Sequence, residues 1–373
     1  MAIVKLGEVA RESKLSYKGD KSTMKIVGLE HLTPESVTLT EWSENTENTF
    51  TKKFLKWQIL FGRRRAYLKK AAVAPFDGIC SGDITVIEAI PGKINDQLLP
   101  FIIQNERFFD YAVEKSAGSL SPRVKWEHLK DYEFELPDMA EQERLAKILW
   151  AAEDLKRKIN SVKKCLINLR ISYRKEVMFD DIKSIDESLS EKYNFFDLES
   201  CCRILDTKRK PLNDAERSTM KGDIPYYGAV GIVDYINESI FNEPIILVSE
   251  DCGFFEEYAE KPIAFYVDNP CWVNNHAHVI VSNDEKCSND WLYYSLVHKN
   301  ISYLVTGGTR SKLNQEQLKK IIIPVPKNDK ITNEILNNLR AMDKYEAQLF
   351  DCYNDLALLE KTLTNNISGD RNV

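Results

Sequence analysis

The stretch 141–176, EQERLAKILWAAEDLKRKINSVKKCLINLRISYRKE, decides the architecture. Its apolar residues Leu145, Ile148, Ala152, Leu155, Ile159, Val162, Leu166, Leu169 and Tyr173 recur in alternating steps of three and four. A stripe of that period, held over four heptads, predicts a left-handed coiled coil rather than an ordinary amphipathic helix. Charged residues flank it: Lys156, Arg157, Lys158, Lys163, Lys164, Arg170 and Arg174. No Pro or Gly interrupts the run, and Pro137 stands just upstream, where a helix can begin. At 1.5 Å per residue the helix is a rod of roughly 54 Å.

A seam requires a partner, and the chain supplies one. Ile335, Leu339, Met342, Leu349, Tyr353 and Leu356 repeat the pattern 187 residues later (148 to 335, 152 to 339, 155 to 342, and so on), and Leu363 falls 187 residues after Glu176. Glu346 occupies the position equivalent to Ile159. The Ile148-Leu149 pair is echoed by Ile335-Leu336, and Cys165 by Cys352. Preserved spacing over this length points to duplication, with the two helices pairing antiparallel inside one chain. On that reading Leu155→Asp and Ile159→Asp each bury a charge in the seam.

The duplication extends outward from the helices. Leu6-x-x-Val9 is matched by Leu198-x-x-Cys201. The segment 118–137 matches 307–326 at an offset of 189: Gly118-Ser119 with Gly307-Gly308, Leu129-Lys130 with Leu318-Lys319, Leu136-Pro137 with Val325-Pro326. A period this long is not a solenoid. It describes two copies of a globular module followed by a long helix. The expected layout is a first globular domain at 1–137, a central helix at 138–180, a polar linker at 181–193, a second globular domain at 194–326 and a C-terminal helix at 327–373. Both globular parts read as mainly β. Strands are expected at 25–27, 84–87, 245–248, 264–267 and 278–281, and helices at 97–109 and 291–297.

Composition bounds the function. The 373 residues suffice for two or three domains with real cores. No apolar run reaches the length of a membrane span, and the first residues lack the layout of a signal peptide. The eight cysteines form no Cys-x-x-Cys pair, which fits reduced thiols in a cytoplasm. Net charge is −6, so a nucleic-acid site has to be local.

One window answers that description. Residues 51–70 carry Lys52, Lys53, Lys56, Arg63, Arg64, Arg65, Lys69 and Lys70 with no acid, interleaved with Trp57, Phe61 and Tyr67. Such a face suits phosphates, and arginine reads guanine bidentately; a solvated basic surface is the plain alternative. In the second copy the cationic cluster is Thr207-Lys208-Arg209-Lys210, followed by the turn-rich Ile224-Pro225-Tyr226-Tyr227-Gly228. A third candidate is Gly307-Gly308-Thr309-Arg310-Ser311-Lys312-Leu313-Asn314, whose counterpart holds Ser119, Ser121, Arg123 and Lys125. Their plain alternative is a pair of domain-closing loops. The candidate DNA-binding set is therefore Lys56, Arg63, Arg64, Arg65, Tyr67, Lys69 and Arg123 in the first copy. In the second it is Lys208, Arg209, Lys210, Tyr226, Tyr227, Arg310 and Lys312.

Catalytic signals are weak. Asp268-Asn269-Pro270-Cys271-Trp272 approaches the Asn-Pro-Pro-aromatic motif of adenine methyltransferases, but the second proline and a glycine-rich cofactor loop are missing. His276 and His278 alternate along an expected strand with no third metal ligand at a useful spacing. Gly307-Gly308 lacks the P-loop pattern.

Together these residues resemble the specificity (S) subunits of type I restriction-modification systems, over the whole chain. Pro137 followed by Glu141-Gln142-Glu143, Ile148-Leu149 and the long helix is similar to the region that follows a target recognition domain in that family. Tyr67-Leu68-x-x-x-Ala72 with Pro75-Phe76-Asp77-Gly78-Ile79-Cys80 and Gly82-Asp83 resembles one class of such domains. Arg209-Lys210-Pro211-Leu212-Asn213 with Ile224-Pro225-Tyr226-Tyr227-Gly228-Ala229 resembles another. The second helix departs from the pattern, with Asn328-Asp329-Lys330 where Glu-Gln-Glu would fall.

The resemblance implies an α+β architecture: two mainly-β target recognition domains, each followed by a long helix, the helices forming an antiparallel coiled coil. It implies a non-catalytic chain that binds double-stranded DNA at a bipartite, asymmetric site. Two methyltransferase (M) subunits and restriction (R) subunits would be its partners. It binds no cofactor or metal itself; S-adenosylmethionine, ATP and Mg belong to the partners. If both domains read one face of the duplex, the half-sites lie roughly 10 bp apart. The competing readings are a stand-alone DNA methyltransferase using Asn269 and a scaffold that binds only proteins. Incubation with labelled S-adenosylmethionine and DNA separates the first of these, and salt-dependent DNA binding the second.

Overall fold

The computed structural model describes residues 2–44, 47–184, 189–252, 254–307 and 311–367. It divides into two compact units, residues 1–161 with 349–373, and residues 162–348. No helix among the described residues is long and apolar enough to cross a membrane.

The first unit begins with β1 (Ala2–Lys5), α1 (Leu6–Val9), β2 (Ala10–Glu12), β3 (Lys25–Val27), β4 (Ser43–Glu44), β5 (Lys52–Phe54) and β6 (Ile59–Gly62). It continues through β7 (Ala71–Val73), β8 (Gly78–Cys80), β9 (Ile84–Ala89), α2 (Leu99–Ile103), α3 (Glu106–Glu114), α4 (Trp126–Leu129) and β10 (Glu133–Leu136). One sheet has the order β2-β9-β6-β7 and a second β4-β3-β8-β5, while β1 pairs with β10. The central strands alternate with period two, yet both faces are buried. Ile59, Phe61, Ala71, Val73 and Ile87 face one cluster with α2 and α3. Leu60, Ala72, Ala74, Ile84 and Val86 face the other with Val27, Phe54 and Cys80. A strand buried on both faces reads as a continuous apolar run, which Ile84-Thr85-Val86-Ile87 does. The single helix expected at 97–109 is two helices, because Asn105 caps the second by accepting from the Arg107 amide at 2.9 Å.

A 39-residue helix, α5 (Met139–Val177), follows. Asp138 starts it, accepting from the Glu141 amide at 2.9 Å.

The second unit repeats the scheme with β11 (Tyr193–Asp197), α6 (Leu198–Cys201), β12 (Cys202–Ile204), α7 (Asp214–Thr219), β13 (Lys221–Gly228) and β14 (Gly231–Ile236). Then come β15 (Ile245–Ser249), β16 (Ala264–Val267), β17 (Trp272–Val273), β18 (Ala277–Ser282), α8 (Asn289–Leu296), α9 (Gln315–Leu318), β19 (Ile322–Pro326) and α10 (Asp329–Ile367). The sheet β12-β18-β15-β16 is again buried on both faces. Ile246, Val248 and Ile280 pack toward α8, and Ile245, Leu247, Val279 and Val281 toward the opposite cluster. β11 pairs with β19 as β1 does with β10, and α6 stands where α1 stood. The 190-residue echo in the sequence is thus an echo of elements.

The two long helices run antiparallel within each unit. In the second, Arg170 meets Glu346 at 2.6 Å and the Tyr173 hydroxyl accepts from Asn338 at 3.0 Å, so numbers rise along α5 as they fall along α10. In the first, Lys156 reaches Glu360 at 2.6 Å while Leu145 and Leu149 share a cluster with Leu363 and Ile367.

The α5 seam itself is corrected. Leu155, Val162 and Leu169 are 47%, 52% and 56% exposed. The inward positions are the next residues in sequence, Leu149, Lys156 and Arg170, with Lys163 half-exposed between them, alongside Leu145, Ala152, Ile159 and Leu166. Lys156 sits between Glu153 (2.9 Å) and Glu360 (2.6 Å), and Arg170 between Glu346 (2.6 Å) and Asp343 (3.8 Å). Carboxylates from α10 meet Lys156 and Arg170, so these two cations turn in where Leu155 and Leu169 turn out. On α10 the expected positions Ile335 and Leu339 are buried.

α5 ends in the second unit on a buried charge cluster. Phe179 takes a left-handed φ of 50°, and the Lys299 ammonium donates to the Met178 and Phe179 carbonyls at 3.3 and 3.0 Å. Arg174 forks onto Asp180 at 2.9 and 2.8 Å. Burial pulls the Lys299 ammonium down from about 10.5 to about 7, against the attraction of Asp180. Between those values the unfolded chain holds a proton that the folded chain lacks, so stability rises with pH across that window. Thermal unfolding midpoints measured from about pH 7 to about pH 9.5 are expected to climb, and Lys299→Met to flatten the climb. Equal slopes in both proteins would refute the assignment.

Candidate nucleic-acid interface

In the first unit the cationic surface is built where β6 ends. Arg63, Arg64 and Arg65 follow Gly62 and run beside the segment 117–124. The Val124 amide donates to the Arg63 carbonyl at 2.9 Å, and the Arg65 amide to the Pro122 carbonyl at 2.9 Å. Arg64 and Arg123 form a β-bridge. Arg65 holds φ 55°, which lets the chain turn into the short 3-10 helix Ala66–Leu68 and leaves Tyr67 half in solvent.

At the centre lies Asp83, which enters just before β9. Its carboxylate accepts from Arg123 Nε at 2.8 Å and Nη2 at 3.3 Å, and lies 3.6 Å from Arg64 Nη1. Arg64 Nε donates to Ser121 Oγ at 2.5 Å. The Arg63 amide donates to the Asp83 carbonyl at 3.0 Å, and Arg63 Nε is buried without a partner. The hydrogen bond from Arg123 holds the Asp83 carboxyl below the usual carboxylate range, helped by the charges of Arg123, Arg64 and Arg63. Three guanidiniums, those of Arg63, Arg64 and Arg123, act on one carboxylate, and that surplus gives the patch its sign.

Two members of the window stand apart. Lys69 is taken up by Glu106 (3.0 Å) and Glu35 (3.4 Å), and the Glu106 hydrogen bond raises its pKa. Lys56 is exposed beside Trp57, away from the Asp83 cluster. Trp57 carries φ 72° and packs edge-on against Trp150 at 5.7 Å.

The second unit distributes its candidates differently. Arg209 is interior: Nη1 donates to Glu250 at 2.6 Å and to the Ala277 carbonyl at 2.8 Å. Tyr226 is 1% exposed, and its hydroxyl accepts from the Leu212 amide at 2.9 Å. Both residues hold the fold together and present no face to a duplex. Their polar or aromatic type gave the expectation; the fold gives each an internal partner, Glu250 for Arg209 and Leu212 for Tyr226. Tyr227 is half-buried. Lys208 is exposed near Glu243 at 3.9 Å, and Lys210 is exposed with its ammonium 5.7 Å from the Trp272 ring. Lys312 reaches Glu250 at 2.9 Å. Arg310 lies outside the described residues.

His276 and His278 each meet a carboxylate of the fold. His278 bridges Asp206 (2.6 Å) and the Leu313 carbonyl (2.8 Å), tying those two residues together. Burial works against the Asp206 carboxylate, yet His278, the Val279 amide and Arg209 hold it below its usual range. His276 meets Asp251 at 2.9 Å. No cluster that could hold a metal ion occurs among the described residues. Asn269 spends its amide on Asp268 at 3.0 Å, and burial closes Cys271 and Trp272 behind it.

Two features escaped the sequence reading. Asp83 lay in a recognised motif, but nothing local said that Arg123 would meet it. The β13–β14 hairpin exposes Val230, Ile232, Val233 and Tyr235, each about half in solvent. The largely apolar, β-prone run Ile232-Val233-Asp234-Tyr235-Ile236 was the available signal.

A family model, the type I restriction modification DNA specificity domain, matches residues 1–164 and again 190–350. The chain belongs to that family. A putative type I restriction enzyme specificity subunit from Haemophilus influenzae is 34% identical over 130 residues, 35% of this chain and 32% of that protein. The type I restriction enzyme EcoDI specificity subunit of Escherichia coli is 26% identical over 113 residues, 29% of this chain and 25% of that one. The chain thus matches about a third or less of the length of these curated relatives. The S subunit of a type I restriction-modification system from M. genitalium superposes with a TM-score of 0.67 at 14% identity, covering 100% of this chain and 96% of that one. A chain of a type I R-M system, solved for its complex assembly and conformational transition, gives 0.53 at 15%, covering 98% and 97%. At such identities the likeness is one of fold. The specificity-domain match falls twice on the same scheme of sandwiched sheet followed by a long helix.

Proposed function

We propose that this chain is the DNA-reading subunit of a type I restriction-modification complex, acting in the cytoplasm and carrying no chemistry of its own. The observation that carries the reading is the doubled specificity-domain match on two different recognition surfaces. In the first unit that surface is the arginine cluster around Asp83. In the second it is the exposed Lys208 and Lys210 with the apolar β13–β14 hairpin. Because the two surfaces differ, the two half-sites differ, and the full site is bipartite and asymmetric. Base-reading arginines supply sequence discrimination, whereas lysines such as Lys56 and Lys208 supply contacts to phosphate.

Two methyltransferase subunits are the proposed partners, with restriction subunits joining them. S-adenosylmethionine, ATP and Mg would be bound there rather than here. The exposed row of Leu155, Val162 and Leu169 on α5 supports a protein partner, since apolar residues seven apart on one helix face are wasted in water. The test is to map methylated sites in cells that carry the chain with its methyltransferase partner. A two-part motif with an unspecified gap is expected. An uninterrupted or palindromic motif would reject the reading, and so would methylation by this chain alone.

A further inference from the structure

We infer that Asp83 is a positioning residue for base reading in the first unit: with Ser121 it orients Arg64 and Arg123, and the half-site they read contains guanine. The inference rests on the proposed DNA-reading function and specifies one part of it.

The argument starts from a cost. A carboxylate in the middle of a surface meant for a polyanion repels phosphate and weakens binding. Fold stability does not account for its presence. Asp83, Arg64 and Arg123 are all partly exposed, and exposed ion pairs contribute little. The turn is held through backbone atoms, by the Arg63 amide on the Asp83 carbonyl and the Arg65 amide on the Pro122 carbonyl. None of these needs the carboxylate.

What the carboxylate does is fix direction. A guanidinium has five N–H donors in a rigid fork. Asp83 takes Nε and one Nη2 hydrogen of Arg123, at 2.8 and 3.3 Å. The Nη1 hydrogens and the outer Nη2 hydrogen stay free, and that edge matches guanine O6 and N7. Arg64 is treated alike: Ser121 holds its Nε at 2.5 Å and Asp83 stands 3.6 Å from Nη1, leaving Nη2 uncommitted. Two long side chains, each otherwise free to adopt many rotamers, are thereby ordered before any DNA arrives. Pre-ordering lowers the entropy lost on binding and penalises a base that offers the wrong edge.

Positioning predicts effects of opposite sign, which a structural role does not. The full chain is used to select from a pool of randomised duplexes, and the wild-type enriched sequence serves as reference. Asp83→Asn is expected to bind a non-enriched duplex several-fold more tightly, because a negative charge is gone. It is also expected to lose guanine preference in one half-site by roughly fivefold or more. The other half-site should be unchanged. Asp83→Glu should keep part of the preference, and Ser121→Ala should lower it while leaving non-specific binding alone. Thermal unfolding of each variant reports that it is folded. If Asp83→Asn weakened enriched and non-enriched duplexes alike, or left the preference intact while Arg123→Ala removed it, Asp83 would not be positioning. If Arg64→Ala and Arg123→Ala left both half-sites intact, or the wild-type chain enriched nothing, the DNA-reading assignment of this surface would fall and the inference with it.

Discussion

Exchanging residues 193–326 for the corresponding segment of another specificity subunit is expected to change one half of the methylated sequence and keep the other. The cut points follow from the ladder. Tyr193 is the first residue of β11 and stands opposite Pro326, the last of β19, so both ends of the graft leave the module at one place. The graft then carries the whole sheet β12-β18-β15-β16, the β13–β14 hairpin and the exposed lysines, while α5 and α10 stay native. Its cost lies at the base. Met178, Ile335, Leu336 and Leu339 of the retained helices pack with Leu198, Trp291 and Leu292 of the exchanged part. Lys299 also belongs to the graft, and it serves the carbonyls of Met178 and Phe179 beside Asp180. A donor without a lysine there would leave a buried carbonyl pair unmatched and lose about 1–3 kcal/mol. A donor that keeps it should give a folded hybrid. Methylated sites mapped in the presence of the methyltransferase partner provide the readout. A change in both halves, or in neither, would overturn the assignment of one half-site to each module.

The long helices and the duplication were legible because both are periodic signals, and periodicity survives without knowledge of the fold. The phase of the α5 seam was not. At 148–149, 155–156, 162–163 and 169–170 the sequence offers two adjacent candidates for one inward position. Three of those pairs set an apolar residue beside a lysine or arginine. Hydrophobicity alone selects the first of each pair. The fold selects the second, because Glu360, Glu346 and Asp343 wait on α10 at the right height. Those acids acquire meaning only once the antiparallel register is known.

The recognition surface divides along the same line. Clustered arginines at 63–65 could be seen, since a run of like charges is rarely buried. That Lys69 would be neutralised by Glu106 and Glu35, or Arg209 drawn inside by Glu250, depends on residues 34 to 41 positions away. Asp83 illustrates the reverse: an ordinary turn aspartate in sequence that becomes the hub of three arginines in space.

The seam gives the sharpest energetic contrast between the two readings. Ile159→Asp is expected to destabilise the protein by at least about 3 kcal/mol, the sum of a lost aliphatic core contact and a carboxylate desolvated in the helix seam. Ile159 is 7% exposed on the inward stripe of α5. Leu155→Asp, four residues earlier, is expected to stay within about 0.5 kcal/mol of wild type, because Leu155 looks into solvent. A seam built on the leucines would make the two equally damaging. Lys156→Ala separates the cases further. It would strand the buried Glu360 carboxylate, whose pKa burial already raises and which Lys156 opposes, and so should cost more than Leu155→Asp although it removes fewer apolar atoms. Denaturant unfolding of the three variants decides the matter: the order Ile159→Asp, then Lys156→Ala, then Leu155→Asp supports the shifted stripe. Equal losses at positions 155 and 159 would restore the apolar one. The result also bears on assembly. If Leu155 is free of the fold, its substitution together with Val162→Asp and Leu169→Asp should leave the isolated chain folded and abolish co-purification with the proposed methyltransferase partner. Retained co-purification would place that partner elsewhere on the chain.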